Sequence, residues 1–299
     1  MNKPRILFWH RKDLRIFDNQ ALIRAFSLSD AITSTYILDK NYPHDFNANS
    51  RAWFLGNSLE ELGNNWKKLG SRLVIEEGDP VLIIPQLAKT LDAKFVCWNK
   101  SIEPYEINRD LQIKKFLEEK NIQAIESWDH LLIEPEKIFS GNKKPYSVYG
   151  PFYKNLKSKM NLLGSYDTDK VIFQFKDIDN KIKENKIINS SDSVLKKFLK
   201  SIKFSGSNVC PCKPGENAAE KLLANFINQK KIYSYNTARD LPSHNGTSFL
   251  SASLRFGTIS IRRVWNATLN LNSEFKSQDN YLSIETWQKE LVWREFYQH

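Results

Sequence analysis

The sequence has few cysteines and no residue pattern for a metal site. Its 299 residues include three cysteines: Cys97 lies in an apolar run, and Cys210 and Cys212 form an isolated Cys-x-Cys pair. A zinc module would need a second cysteine pair or a histidine cluster at a suitable spacing, and the sequence contains neither. We therefore predict no bound metal and no disulfide framework.

Long hydrophobic runs are also missing. The apolar run near the N-terminus is too short for a signal peptide. No later run approaches the roughly 20 apolar residues that span a membrane. These absences indicate a soluble protein, which we expect to lie in the cytoplasm.

The glycine-rich pattern Gly-x-Gly-x-x-Gly of dinucleotide-binding proteins is absent as well. The N-terminal part nevertheless alternates between short apolar runs and longer amphipathic segments. The predicted strands are residues 5–10, 31–38, 72–76, 94–98 and 122–126. The first helix begins after Asp18 or Asn19, either of which can cap it. The later helices are predicted at residues 50–69, 81–91 and 104–119. This alternation predicts an α/β fold with a doubly wound, parallel sheet.

Polar loops follow three of the predicted strands, at residues 11–15, 39–44 and 99–103. In a doubly wound sheet, ligands bind beyond the carboxyl ends of the strands, so we expect these loops to lie together at that edge. Their polarity fits a binding site, and it equally fits a solvated rim.

The alternation stops near residue 131. Residues 139–153 mix turn residues with aromatics, which indicates an ordered but irregular connector. Residues 177–203 are predicted to form a surface linker with a short helix near 194–202. A new helical pattern covers residues 216–228. The chain is thus predicted to divide into residues 1–130, 131–213 and 214–299.

The chain carries a formal net charge of +10. A basic balance favours a polyanionic partner such as nucleic acid. It is also what a lysine-rich, asparagine-rich composition produces without any such partner, and the charge alone leaves both interpretations open.

Hydroxyl side chains follow an Asn-Gly turn at residues 245–246, at positions 247, 248, 251 and 253. Before an apolar helix, such a segment offers backbone N–H groups and hydroxyls to a phosphate. The alternative is a plain turn followed by a Thr or Ser that caps the helix.

Residues 287–299 predict a closing helix. Trp287, Glu290 and Arg294 fall on one stripe of it, because residues three and four apart are neighbours, and Trp293 lies on the adjacent side. One helix could therefore hold both a cofactor and a substrate. The alternative is a helix of core aromatics with an exposed Glu–Arg pair.

Residues 9–22, 246–262 and 287–296 together resemble the photolyase/cryptochrome family, most closely its class I bacterial cyclobutane-dimer photolyases. The resemblance implies an N-terminal α/β antenna domain, a connector and a helical domain that binds FAD. It also implies a carbon–carbon lyase that repairs pyrimidine dimers in DNA by electron transfer from photoexcited, reduced FAD. A cryptochrome that senses blue light without repair is the alternative.

The resemblance also assigns roles to individual residues. Glu290 is similar to the carboxylate that hydrogen-bonds a flipped-out dimer, and Trp293 to the ring that packs against it. The positions similar to FAD contacts are Tyr235, Thr247, Ser248, Leu250, Ser251, Trp287 and Arg294. The candidate contacts of an antenna chromophore are Asp39, His44, Glu103 and Asn108.

The antenna chromophore implied by the resemblance is methenyltetrahydrofolate, 8-hydroxy-5-deazaflavin or none. Arg109 stands where folate-binding members carry a glutamate, and Ser101 where deazaflavin-binding members carry an aspartate. Arg255 is compatible with the deazaflavin type. The sequence leaves the choice open.

Members of this family continue well beyond the closing helix. The resemblance therefore implies a truncated helical domain, which alone neither retains FAD nor repairs DNA and leaves Trp287, Trp293 and Phe296 exposed. We expect a monomer that contacts dimer-containing DNA and has no obligate protein partner. A further alternative is an independent α/β binding module over residues 1–130.

Overall fold

The computed structural model of the protein describes residues 3–39, 41, 49–168, 173, 175, 186–204, 210, 212–269, 271 and 277–299, with the side chains of 186–191 left out. The N-terminal part is built on a five-stranded sheet in the order β3-β2-β1-β4-β5, and every neighbouring pair of strands is parallel. The strands are β1 (Arg5–His10), β2 (Ile32–Leu38), β3 (Leu73–Glu77), β4 (Ala93–Asn99) and β5 (Gln123–Ser127). The predicted doubly wound α/β sheet is confirmed.

Helices surround this sheet because β1 carries apolar side chains on both faces. Phe8 packs against Trp66 on one face, with ring centroids 6.4 Å apart, and Trp9 against Trp98 on the other, at 6.0 Å. The helices are α1 (Gln20–Leu28), α2 (Asn49–Lys68), α3 (Pro80–Thr90) and α4 (Pro104–Glu118). Asn19 caps α1 by accepting a hydrogen bond from the backbone N–H of Leu22. The prediction that Asp18 or Asn19 caps this helix is therefore confirmed for Asn19.

The rest of the described chain is helical. Its helices are α5 (Tyr149–Leu163), α6 (Lys186–Ser201), α7 (Glu216–Asn228), α8 (Tyr235–Ala238), α9 (Ser251–Phe256), α10 (Ile261–Leu269) and α11 (Gln278–Phe296), with short 3-10 turns at Pro135–Lys137 and Lys231–Ser234. One apolar cluster joins these helices except α6, and it includes Phe152, Leu223, Phe226, Trp265, Trp287 and Leu291. Helix α6 packs instead against the core of the sheet, through residues such as Leu195 and Phe198. No described helix has the length and apolar content needed to cross a membrane.

The prediction of an irregular connector over residues 139–153 is wrong at its end, because α5 begins at Tyr149. The Gly150-Pro151 pair reads as a turn in sequence. Proline is tolerated in the first turn of a helix, since the backbone N–H groups there have no partner within the helix. Buried Phe152 and Leu156 then anchor α5 to the helical core.

Buried charges hold the helical part against the sheet. Arg15 Nη2 lies 2.7 Å from Asp129 Oδ2, and Arg262 Nη2 lies 2.8 Å from Asp129 Oδ1. Burial disfavours the charged carboxyl of Asp129, but the two arginines outweigh burial and lower its pKa. Asp129 follows β5 and Arg262 belongs to α10, so this cluster fixes α10 at the carboxyl edge of the sheet.

Candidate functional site

Helix α11 begins well before the segment predicted from its aromatic residues. Ser277 caps it by accepting a hydrogen bond from Asn280 N, and the helix extends to Phe296. The part of the helix before residue 287 includes Ile284, which is buried in the helical core. The four predicted contact residues on this helix therefore occupy its carboxyl half.

Trp287 belongs to the helical core. Its side chain is 3% exposed and packs against Phe226 of α7 at a centroid distance of 5.1 Å. Trp293 and Phe296 are half-buried against α5. The predicted exposure of these three aromatics is wrong, because α5 and α7 supply aromatic partners that lie far from α11 in sequence.

Trp293 is stacked on the first residue of α5. Its ring lies 3.6 Å from the ring of Tyr149, with an angle of 7° between the ring planes. A second aromatic neighbour, Tyr297, is 5.7 Å away at 26°. The indole predicted to meet a lesion therefore already has a close aromatic neighbour, which the sequence did not reveal.

Glu290 lies on the exposed side of α11. Its Oε1 is 2.5 Å from Nη1 of Arg239, which follows α8. The hydrogen bond with Glu290 raises the pKa of Arg239 above its ordinary value. The guanidinium of Arg239 also lies over the Tyr235 ring, 5.8 Å from its centroid, so it connects a predicted lesion contact to a predicted FAD contact.

Arg294 points to the segment after β5. It donates hydrogen bonds to the carbonyl oxygen of His130 at 3.0 Å and to Glu295 Oε1 at 3.0 Å, and its Nη2 lies 2.8 Å from His130 Nε2. Burial and the charge of Arg294 lower the pKa of His130 well below its ordinary value. The imidazole is therefore neutral, and its Nε2 accepts from the guanidinium.

The remaining FAD candidates meet where a loop approaches α8. A Cβ added to Gly246 would lie 2.5 Å from the Cβ of Ala238, so only glycine allows this approach. Thr247 and Ser248, which follow Gly246, are half-exposed, whereas Tyr235, at the start of α8, is buried.

The helix after this loop is short and has no hydroxyl cap. It begins at Ser251, with Leu250 at the capping position and no side-chain hydrogen bond to the helix start. The alternative of a Thr or Ser cap is therefore wrong. Leu250 is buried in the helical core and Ser251 is exposed.

The three antenna candidates that the structure describes do not line one cavity together. Asp39 accepts a hydrogen bond from the Tyr105 hydroxyl at 3.0 Å and lies 3.5 Å from Nη1 of Arg109. Asn108 is exposed on α4. His44 lies outside the described residues.

Glu103 lines a separate cavity of about 300 Å³ at the carboxyl edge of the sheet, between the loops after β1, β4 and β5. It pairs with Lys12 and with Arg255, whose Nη1 is 3.1 Å from Glu103 Oε1. Glu106 also lines the cavity; burial opposes its ionisation, but Arg11 and Lys12 lower its pKa. Two of the three loops predicted to meet at this edge, residues 11–15 and 99–103, therefore do so, and their charges are largely paired with one another. Of the third loop, 39–44, the structure describes only Asp39 and Asn41.

Three residues that contact the predicted site have no role in the sequence analysis: Tyr149, Arg239 and His130. Tyr149 stands in the aromatic segment 139–153, which is its only local signal, and Arg239 stands in no segment singled out from the sequence. His130 carries no signal, because its contact with Arg294 joins residues 164 positions apart.

Comparison with known proteins identifies relatives over nearly the whole chain. The family model described as DNA photolyase matches residues 6–171. The deoxyribodipyrimidine photo-lyase of Synechococcus sp. (strain ATCC 27144 / PCC 6301 / SAUG 1402/1) is 37% identical over 297 residues, 98% of this chain and 60% of that protein. An uncharacterized 31.6 kDa protein of Synechococcus sp. (strain PCC 6716) is 33% identical over 99% of this chain and 100% of its own length.

A solved structure has the same fold. The crystal structure of a bacterial class III photolyase from Agrobacterium tumefaciens superposes with a TM-score of 0.78 at 28% identity, covering 99% of this chain and 58% of that chain. A cryptochrome DASH of Synechocystis sp. (strain ATCC 27184 / PCC 6803 / Kazusa) is 26% identical over 98% of this chain. The chain thus spans about 60% of the length of the photo-lyase that it resembles.

Proposed function

Because this chain belongs to the DNA photolyase family, we propose that it supplies lesion-contacting residues and part of the flavin site of a light-dependent DNA repair lyase. The reaction is the splitting of cyclobutane pyrimidine dimers by an electron from photoexcited, reduced FAD, as in class I photolyases. Glu290 and Trp293 carry the proposal, since a partly exposed carboxylate lies one helical turn from a half-buried indole.

The proposed FAD contacts differ in what they offer. Thr247, Ser248 and Ser251 are at least partly exposed and present hydroxyls suited to a diphosphate. The other proposed contacts are Tyr235, Leu250 and Trp287, which are buried in the helical core, and Arg294. The close approach at Gly246 supports this assignment, because it holds the hydroxyl-bearing loop against the helix that starts at Tyr235.

When bound, FAD supplies the electron, and the residues of this chain position the lesion. A dimer is already poorly stacked in DNA, so flipping it out costs less than flipping a normal base. In the proposed mechanism Trp293 forms the apolar wall of the pocket and Glu290 accepts a hydrogen bond from a pyrimidine N–H. Arg239 must release Glu290 at that moment and is then available to a phosphate, for which an arginine is well suited.

We further propose that the chain is organised as an antenna domain at 1–130, a connector at 131–213 and part of a flavin domain at 214–299. The protein would act on DNA as a monomer, and its charge of +10 supports the nucleic-acid partner. For the antenna, Glu103 and Arg255 line a cavity, whereas Asn108 is exposed outside it. This difference favours a deazaflavin over a folate.

A cryptochrome that signals without repair is the second candidate, since a cryptochrome is among the relatives. An aromatic residue at Trp293 beside the carboxylate of Glu290 favours repair over signalling.

The test is the affinity of the chain for a duplex that contains one thymine dimer, compared with the same duplex undamaged. We expect a preference for the dimer that Glu290→Ala lowers roughly tenfold, the loss typical of a charge-assisted hydrogen bond. Equal affinities would contradict the proposal. We also expect the isolated chain not to retain FAD through purification; a yellow, repair-competent preparation of these 299 residues would contradict that expectation.

A further inference from the structure

A column of aromatic rings runs along the junction of α5 and α11. Tyr153, Tyr149, Trp293 and Tyr297 follow one another, with consecutive centroid distances of 5.8, 3.6 and 5.7 Å and interplanar angles of 23°, 7° and 26°. The connector between the sheet and the flavin-type helices supplies two of these rings. The connector therefore contacts the proposed lesion site directly.

Tyr149 is held in this column from several directions. Its ring stacks on Trp293, the ring of Phe296 meets it at 84°, and its hydroxyl donates a hydrogen bond to the carbonyl oxygen of Lys289 at 3.2 Å. These three partners lie on one stripe of α11, at the spacing of four and then three residues. Tyr149 is thus fixed against the helix that carries Trp293.

The phenol of Tyr149 stays neutral in this position. Burial raises its pKa above the ordinary value, and the nearby Tyr153 and Glu290 raise it further. The neutral hydroxyl can donate its hydrogen bond to the carbonyl oxygen of Lys289, and it adds no negative charge to that of Glu290. The phenol that stacks on Trp293 is therefore uncharged.

The two faces of the Trp293 indole are unequal. Tyr149 covers one face at a parallel distance of 3.6 Å, which leaves no room for another ring. The other face carries no such stack, and the next ring, that of Tyr297, is 5.7 Å from the indole, follows the end of α11 and is 78% exposed. A base can displace Tyr297 with little loss of buried surface, whereas displacing Tyr149 would break a tight stack.

We propose that Tyr149 is a positioning residue, which holds the indole of Trp293 from one face so that the opposite face receives a flipped-out pyrimidine. The inference rests on the proposed function, because it takes the lesion-contacting role of Trp293 as its premise. It adds that the connector, through one aromatic side chain, sets the selectivity of the site for damaged DNA.

The test combines a structural and a functional measurement on the chain of residues 1–299. Fluorotryptophan is incorporated, and the ¹⁹F resonance of Trp293 is assigned with Trp293→Phe. Affinities for a dimer-containing and an undamaged duplex are measured in parallel. The variants are Tyr149→Leu, Tyr149→Phe and, for the other stacked neighbour of Trp293, Tyr297→Leu. Tyr146→Leu is the matched control, since Tyr146 is in the same connector and contacts Phe152 and Asn155 instead.

We expect Tyr149→Leu to move and broaden the Trp293 resonance. It should also lower the preference for the dimer by roughly three- to tenfold, the size of a stacked aromatic pair. Tyr149→Phe should restore both, because the ring rather than the hydroxyl makes the stack. Tyr146→Leu should change neither, and Tyr297→Leu should leave the preference at least as high as in the wild type.

Other results overturn the inference in distinguishable ways. An unchanged Trp293 resonance in Tyr149→Leu would show that the stack does not order the indole. A changed resonance with an unchanged preference would reduce Tyr149 to a structural contact. An equal loss in Tyr297→Leu would remove the distinction between the faces. A wild-type chain without any preference would contradict the proposed function, and the positioning role would fall with it even if the resonance moves as expected.

Discussion

The carboxylate of Glu290 lies 2.5 Å from Nη1 of Arg239, so the proposed lesion contact is ion-paired in the free protein. Both side chains are partly exposed, with 33% of Arg239 and 42% of Glu290 accessible. Ion pairs in such positions contribute about 0–1 kcal/mol, because water screens the charges and the side chains lose freedom. A pyrimidine N–H can therefore replace the arginine at a small cost.

Removing the arginine should consequently free the carboxylate without unfolding the chain. We expect Arg239→Gln to change the free energy of unfolding by less than about 1 kcal/mol, as measured by urea denaturation. Lys221→Gln, at an exposed position of α7, is the control for the loss of one positive charge. A loss of several kcal/mol in Arg239→Gln alone would show that this pair holds the fold together and is not available for exchange.

Asp129, by contrast, should contribute strongly to the free energy of unfolding. Its carboxylate neutralises the buried guanidinium groups of Arg15 and Arg262. Arg262 also pairs with Asp18, so Asp129→Asn mainly removes the carboxylate partner of Arg15, and we expect a loss of about 3–5 kcal/mol in the free energy of unfolding. The control is Asp92→Asn, since the Asp92 side chain is 75% exposed. Equal effects of the two substitutions would refute the role of this cluster.

The contact between His130 and Arg294 predicts a dependence of stability on pH. The folded-state pKa of His130 lies well below 6.5, while the unfolded imidazole titrates near that value. Between these values the unfolded state binds more protons, so the contribution of His130 is present above about pH 6.5 and is lost as the pH falls towards the folded-state pKa.

We therefore expect His130→Gln to reduce the difference in unfolding free energy between about pH 7.5 and about pH 5.5. Urea denaturation at both pH values measures it. His244→Gln, at an exposed position, provides the comparison. An unaltered pH dependence in His130→Gln would mean that the imidazole is not held neutral by its surroundings.

The loop that carries the proposed FAD hydroxyls should not tolerate a side chain at its first glycine. In Gly246→Ala the new Cβ would approach Ala238 to 2.5 Å at its Cβ and 2.9 Å at its carbonyl oxygen. Overpacking of this kind costs about 1–3 kcal/mol. Gly150→Ala is the matched control, since a Cβ there meets nothing within 4 Å. Thermal unfolding of both variants distinguishes a close approach from a general cost of replacing glycine.

The sheet could be predicted from sequence because its signals are local. Each strand is a short apolar or β-branched run, and Asn19 stands at the cap of the first helix. The same logic failed at Tyr149, where a Gly-Pro pair that usually marks a turn lies inside the first turn of α5. Local patterns therefore gave the sheet and its helices, but they missed α5 and placed the start of α11 too late.

The candidate site could be predicted only in part, because its contacts join distant segments. Helical spacing placed Glu290 and Trp293 on α11. It could not show that Arg239, 51 residues earlier, holds the first, or that Tyr149 stacks on the second. The burial of Trp287 depends on Phe226 of another helix. Such partners follow from the packing of whole helices, which periodicity does not specify.

The central claim is that these residues can serve a repair lyase. The most direct measurement is light-dependent loss of thymine dimers from an oligonucleotide, using residues 1–299 joined to the remaining part of the Synechococcus photo-lyase sequence and loaded with reduced FAD. We expect dimers to disappear in the light and to persist in the dark, and Glu290→Ala to weaken binding of the damaged strand. A chimera that holds FAD and leaves the dimers intact in the light would contradict it.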